Sequence, residues 1–192
     1  MKLKDIFKDI YKGLRIENDN SLEAIDAYLI DTKDVENCVI NYSNSGVQKI
    51  KMNIKDKYLL KPNDIIIASI PSKNTNHVGY CSSLNNDKVI IKKNFFVLRN
   101  PYDNNLYNLE FIAEYLEYFG INQIMERKSR EEGLVLWDIE EIEIPLVPID
   151  KQNELIDIIR PINERNRLYQ KLIKNDESIK KYMINEVIKD EK

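Results

Sequence analysis

Histidine and tryptophan each occur once in the 192 residues, as His77 and Trp137, and cysteine only twice, as Cys38 and Cys81. A lone histidine excludes a multi-histidine metal centre, and two cysteines exclude a disulfide framework or a four-cysteine zinc site. Glycine is scarce, with five residues, and no GxGxxG, GxxxxGK(S/T) or Asn-Pro-Pro-Tyr-type methyltransferase motif is present. Nothing therefore cradles a cofactor phosphate. No apolar run approaches the ~20 residues that cross a bilayer. The longest, Ile65-Ile66-Ile67 and Leu134-Val135-Leu136-Trp137, have the length of buried strands. The opening MKLKDIFKDIYKG mixes charged and apolar residues and lacks the core of a signal peptide. A soluble cytoplasmic protein is the expectation, with one compact domain plus an appendage.

What is present is charge, unevenly distributed. The net charge is −3, which by itself disfavours a nucleic-acid partner. Residues 1–40 carry six basic and nine acidic side chains, and residues 41–108 carry ten basic and four acidic. Residues 109–149 carry three basic and ten acidic, and residues 150–192 carry ten and nine. A basic surface built from the second segment can neutralise phosphates despite the acidic total. The plainer reading of the same lysines is a solvated sheet face.

Turn residues and hydrophobic spacing divide the chain. Residues 2–12 read as a short helix or strand before Gly13, and residues 21–30 as either a helical turn or a strand. Residues 37–53 alternate weakly around an Asn44-Ser45-Gly46 turn. Lys61-Pro62-Asn63-Asp64 is a turn that opens a strand from Ile65 to Ile70. Further strands are expected at 78–81 and 88–98, joined as a hairpin through Asn85-Asn86-Asp87. Asn108 looks like a helix cap, with Leu109, Ile112, Ala113, Leu116 and Phe119 at helical spacing and Gly120 as the stop. Residues 134–137 and 139–144 read as strands before Pro145 and Pro148. Asp150 reads as the cap of a helix with no later glycine. In it, Leu155, Ile162, Tyr169, Asp176 and Met183 interleave with Ile158, Arg165, Leu172 and Ile179 at the spacing of a coiled-coil seam. Pro161 predicts a kink or a restart.

Catalytic readings fare poorly. His77 and Cys81 lie four apart, roughly 13 Å on a strand, too far for a nucleophile and its base. Asp64, Glu126 and Lys128 mimic a sparse metal-nuclease pattern. A chain with 32 acidic and 29 basic residues meets that pattern by chance, and Asp64 is better explained as a turn residue.

Three stretches resemble the target-recognition domain of type I restriction-modification specificity subunits. The first is Leu59-Leu60-Lys61-Pro62-Asn63-Asp64-Ile65-Ile66-Ile67, with Asn63 where the family usually has glycine. The second is the helix of Tyr107 to Gly120. The third and most specific runs from Trp137 to Gln152. It is similar to the family's strand, Ile-Pro-Leu-Pro-Pro and helix-opening glutamine, with Val147 replacing the first proline of the pair. The resemblance covers Lys2 to about Ile188. It implies sequence-specific recognition of double-stranded DNA without catalysis and without a cofactor on this chain. Methylation would come from a methyltransferase subunit using S-adenosylmethionine, and cleavage from an ATP-driven restriction subunit. Family subunits carry two recognition domains and two long antiparallel helices. One domain and one helix here look like a half-subunit, two copies of which would pair through residues 150–192 and read a split, inverted-repeat site.

The expected fold is α+β: a mainly β recognition domain with helical insertions over residues 1–149, then a long coiled-coil-type helix over 150–192. The expected base-reading loop holds Lys73, Asn74, Thr75, Asn76 and His77. Lys49, Lys51, Lys55, Lys57, Lys92, Lys93 and Arg99 are candidates for phosphate, and Arg127, Lys128 and Arg130 form a second basic loop. Leu155, Ile158, Ile162, Tyr169, Leu172, Ile179 and Met183 are the expected dimer interface. The rival expectation is a recognition-like module that binds a methyltransferase or specificity subunit without reading DNA, in keeping with the acidic total.

Overall fold

The computed structural model describes residues 1–17, 21–72, 77–85, 87–103, 105–128 and 131–190. The chain divides into two compact units, Met1–Glu154 and Leu155–Lys192. The first unit opens with α1 (Leu3–Ile6) and β1 (Phe7–Lys12), followed by β2 (Ile25–Ile30), β3 (Val35–Glu36), β4 (Cys38–Ile40) and β5 (Val47–Ile50). Strands β6 (Ile65–Ala68), β7 (Val78–Tyr80), β8 (Val89–Ile91) and β9 (Phe95–Pro101) come next. Helices α2 (Leu109–Tyr115), α3 (Ile121–Met125) and α4 (Leu136–Glu140) precede α5 (Ile149–Asp190). The strands form a six-stranded sheet, β1-β9-β6-β7-β4-β3, and a three-stranded sheet, β5-β2-β8. Pairing is antiparallel except for β4 with β7 and β2 with β8. The mixed fold with its long terminal helix is the expected α+β class.

The central strands read as unbroken apolar runs because both of their faces are covered. Side chains alternate across a strand. Thus Ile65, Ile67, Phe96 and Leu98 face a core shared with Phe7, Ile112, Leu116, Ile121, Ile139 and Ile142. Ile66, Ala68, Phe95 and Val97 face a second core with Ile30, Val35, Leu60 and Ile91. A third cluster, Ala27, Leu29, Ile50 and Ile90, covers the outer face of the small sheet.

Several local expectations are corrected. Residues 78–81 and 88–98 do not form a hairpin: β7 pairs with β6 and β4, while β8 joins the other sheet beside β2. The run 88–98 is two strands, broken where Lys92-Lys93-Asn94 carries the chain between the sheets. Gly120 does not stop its helix. Leu116–Gly120 is a π-turn that continues into α3, and a Cβ on Gly120 would lie 2.9 Å from Leu116 and 3.2 Å from Ile142. That glycine serves close packing rather than termination. Finally, residues 136–140 are helical instead of extended. The Asp138 carboxylate accepts the Val135 N–H at 2.8 Å, starting a helical turn that buries Ile139. Only a single bridge, Lys2 with Glu143, follows it.

The helix cap at Asn108 is present, its side chain accepting from the N–H groups of Glu110 and Phe111. Residues 25–30, open between helix and strand, are β2. Asp150 lies in the first turn of α5 rather than at its cap. Pro161 sits inside α5 and does not end it.

Candidate nucleic-acid interface

Ser69, just beyond β6, is the point where separate segments meet. Its N–H donates to the Asn94 carbonyl at 2.8 Å, and its own carbonyl accepts from Leu134 N–H at 2.6 Å. The segment leaving β6, the Lys92–Asn94 turn and Gly133–Leu134 are thereby held at one end of the large sheet. Gly133 makes this possible. Its φ is +68°, and a Cβ there would come 2.9 Å from the Ser69 carbonyl oxygen. The chain after β1 arrives at the same place: Gly13 N–H donates to Phe95, Leu14 N–H to Ile91, and Lys93 N–H back to Leu14.

The side chains at this end are partly committed. Lys92 Nζ lies 2.6 Å from Asp31, and this hydrogen bond holds the Asp31 carboxyl below its usual range. Lys93 is exposed. Lys12 Nζ stands 5.2 Å from the centre of the Phe96 ring, a cation–π contact. His77 has φ +51°, and its Nδ1 is 3.1 Å from the Val35 carbonyl. The next N–H, of Val78, donates to Glu117 Oε2 at 2.9 Å, so the π-turn helps fix the start of β7. Lys73, Asn74, Thr75, Asn76 and Arg130 lie outside the described residues.

Other candidates sit elsewhere or face inward. Lys128 Nζ binds Asp138 at 2.5 Å and reaches the Gly133 carbonyl at 3.4 Å, bracing its loop against α4. Arg127 is exposed and, with Lys128, Gln123 and Trp137, lines a cleft of about 510 Å³. Lys49 is opposite Asp26 in β2, whereas the Lys92 turn follows the Ile30–Ile91 pair. Four residues of strand separate these positions, about 13 Å. Lys51 follows β5 at that same far end.

Arg99 is not a phosphate contact. It is 8 % exposed and grips Asp64 with Nε to Oδ1 at 2.6 Å and Nη2 to Oδ2 at 2.5 Å. Its remaining donors reach the carbonyls of Leu59 and Lys57. Burial pushes the Asp64 carboxyl up, against the pull of Arg99 and of the Lys61 N–H. Asp64 therefore pins the turn before β6 to β9. Asn63 in that turn has φ +71°, a left-handed position where glycine sits more easily and asparagine is the tolerated substitute.

The same geometry answers the catalytic readings. Burial pushes the Cys81 thiol up to about 12 and raises Cys38 as well, so both remain weak nucleophiles at neutral pH. His77 is bonded to Val35 rather than to Cys81. Asp64 is bound to Arg99, and Lys128 to Asp138. Among the described residues no group of three or more His, Cys, Asp or Glu side chains is arranged to hold a metal ion. Nor is any helix among them long and apolar enough to cross a membrane.

Gln152, which sequence similarity singled out, has a structural task. It is fully buried. Its Oε1 accepts the Asn108 N–H at 2.8 Å, and its Nε2 donates to the carbonyls of Val147 and Leu106. The first turn of α5 is thus tied to the cap of α2. Sequence reasoning missed the Arg99–Asp64 and Lys128–Asp138 pairs, since neither spacing carries a periodic signal. Gly133 was the one visible sign of the close contact at Ser69.

No curated protein sequence matches the chain. Among solved structures, the HsdS subunit from Thermoanaerobacter tengcongensis aligns with a TM-score of 0.62 at 16% identity, covering 90% of this chain and 43% of that one. A structure reported for complex assembly and conformational transition of the type I R-M system gives 0.61 at 16% identity, over 90% and 43%. The type I restriction-modification S subunit from M. genitalium gives 0.53 at 17% identity, over 89% and 40%. The chain spans less than half the length of each, and likeness at this identity concerns the fold. The sequence itself matches the model of the type I restriction modification DNA specificity domain over residues 1–176, and the chain belongs to that family.

Proposed function

We propose that the unit Met1–Glu154 reads one half of a split site in double-stranded DNA, and that α5 pairs it with a second copy. The pair would direct a methyltransferase subunit, and in a complete system a restriction subunit, to the site. The chain itself performs no chemistry and holds no cofactor. The observation that carries this reading is the specificity-domain match over residues 1–176. The convergence at Ser69 supports it. Segments distant in sequence meet there on a rigid sheet, with Lys93 exposed and His77 alongside. Loops set on such a scaffold can present donors and acceptors to base edges while lysines meet phosphates. The DNA-facing set on this reading is Lys73, Asn74, Thr75, Asn76, His77, Lys92 and Lys93, with Arg127 and Arg130 flanking. Lys128 acts mainly by holding its loop, and Lys49 and Lys51 serve as outlying phosphate contacts. Leu155, Ile158, Ile162, Tyr169, Leu172, Ile179 and Met183 form the pairing face.

The test is the salt dependence of binding to a random-sequence duplex. Each phosphate contact contributes about 0.9 to the slope of log affinity against log salt. Lys93→Glu is expected to flatten the slope by about one and to weaken binding across sequences. An unchanged slope would remove the Lys92–Asn94 turn from the interface. A second reading, a module that binds protein and not DNA, draws on the ten acidic side chains of residues 109–149 and on exposed Trp137 in its cleft. Absence of any salt-dependent binding by the wild-type chain would favour it.

A further inference from the structure

Two irregular pieces of backbone meet at one hydrogen bond at the Ser69 end of the large sheet. The helix that follows Asn108 widens into the π-turn Leu116–Gly120, and His77, where β7 begins, has φ +51°. Single π-turns and left-handed non-glycine residues are both uncommon, and both gather at functional sites. The peptide between His77 and Val78 is held at both of its ends. Its carbonyl accepts the Ala68 N–H at 3.2 Å, and its N–H donates to Glu117 Oε2 at 2.9 Å. The paired register with β4 begins only one residue later, at Gly79 opposite Cys38. Glu117 thus supplies the acceptor that a neighbouring strand would otherwise give to this buried residue. The turn carrying Glu117 is fixed, because Leu116 and Ile121 lie in the core on either side of it. One turn earlier, buried Glu114 accepts from the Cys38 thiol, tying the same helix to β4.

The imidazole is oriented as well. Its Nδ1 lies 3.1 Å from the Val35 carbonyl. A carbonyl only accepts, so Nδ1 carries the hydrogen. The neutral ring then has its lone pair on Nε2, which accepts a hydrogen bond and cannot donate one. In the major groove the donating groups are the exocyclic amino groups, N6 of adenine and N4 of cytosine. Resting on the DNA-reading role proposed above, we infer that His77 reads such an amino group through Nε2, and that Glu117 is the positioning residue that sets its direction. Thymine and guanine offer acceptors in that groove, so with either base two lone pairs face each other and binding is disfavoured. The ring is pinned through Nδ1 and the main chain through Glu117. His77 therefore has little freedom left to lose on binding, and its acceptor is preorganised. Lys93 beside it serves phosphate, which carries no sequence information.

The test measures binding of the full chain to the duplex it selects from a random pool. Analogues of that duplex each lack one amino group, with purine in place of adenine or pyrimidin-2-one in place of cytosine. At one or more positions the wild type should bind the analogue about tenfold more weakly. His77→Ala should bind the intact duplex about tenfold more weakly and respond to that analogue by no more than about twofold. Glu117→Ala should behave as His77→Ala does. Glu117→Gln keeps an oxygen for the Val78 N–H and should stay within about threefold of the wild type. In the free protein, the imidazole NMR signals of His77 should move in Glu117→Ala and stay in place in Glu117→Gln. A wild type indifferent to every amino group, or a His77→Ala chain that still responds at the same position, overturns the role of His77. A Glu117→Gln chain that fails as Glu117→Ala does, or His77 signals that do not move in Glu117→Ala, overturns the role of Glu117. A wild type that selects no sequence overturns the DNA-reading role itself, and this inference with it.

Discussion

In strand β9, Phe95, Phe96, Val97 and Leu98 are 1 % exposed or less. In helix α5, Tyr169, Leu172, Ile179 and Met183 are 56–62 % exposed. Both stretches are rich in large apolar side chains, yet only one is covered within the chain. Strand β9 lies between two cores, and its register is pinned by the Arg99–Asp64 pair. The helix leaves uncovered a stripe that water does not favour. Exposed contiguous apolar surface of this kind marks a site of association. The apolar side chains of the unit Met1–Glu154 are largely buried within it, and on the proposed reading the exposed stripe of the helix is the pairing face.

The sharpest way to break this contrast is at the buried ion pair. Asp64→Ala leaves the Arg99 guanidinium uncompensated beside two carbonyls and should cost about 3–5 kcal/mol in denaturant unfolding. A loss under 1 kcal/mol would show that the pair does not hold β9 to the turn before β6. A smaller effect is expected at Gly133, where alanine must adopt a positive φ and approach the Ser69 carbonyl. Gly133→Ala should cost about 1–3 kcal/mol and weaken DNA binding with it. Unaltered binding would separate the segment around Gly133 from the interface. The smallest effect belongs to the helix. Leu172→Lys should abolish pairing, while changing the unfolding free energy of the first unit by less than about 0.5 kcal/mol at a concentration where the chain is monomeric. A large loss there would mean that the stripe is part of the first unit's core.

Much of this arrangement was legible in the amino-acid order. Asp64 before Ile65-Ile66-Ile67, the cap at Asn108 and the long glycine-free helix beyond Pro148 each declare local structure through turn chemistry or periodicity, although the restart expected at Pro161 is absent. The third similar stretch foretold the family, and Gln152 within it proved to be a buried tie between α5 and α2. What was hidden is long-range. Arg99 looked like a surface cation because its partner lies 35 positions away. Residues 136–140 looked extended because their apolar run has no helical period of its own. Their helical turn depends on Asp138 accepting a backbone N–H and being held by Lys128. The supposed hairpin at 85–87 failed for a similar reason. Strands β7 and β8 are each buried on both faces, and a run without polar alternation does not say which sheet it joins.

The central claim is that the chain reads a DNA sequence in two halves. It is tested most directly by selecting bound duplexes from a random pool with the full-length chain and sequencing them. The account predicts enrichment of one bipartite sequence whose halves are inverted repeats separated by a fixed spacer, and loss of the second half when Leu172→Lys is used. A pool that remains random after repeated rounds, with binding insensitive to salt, would contradict it.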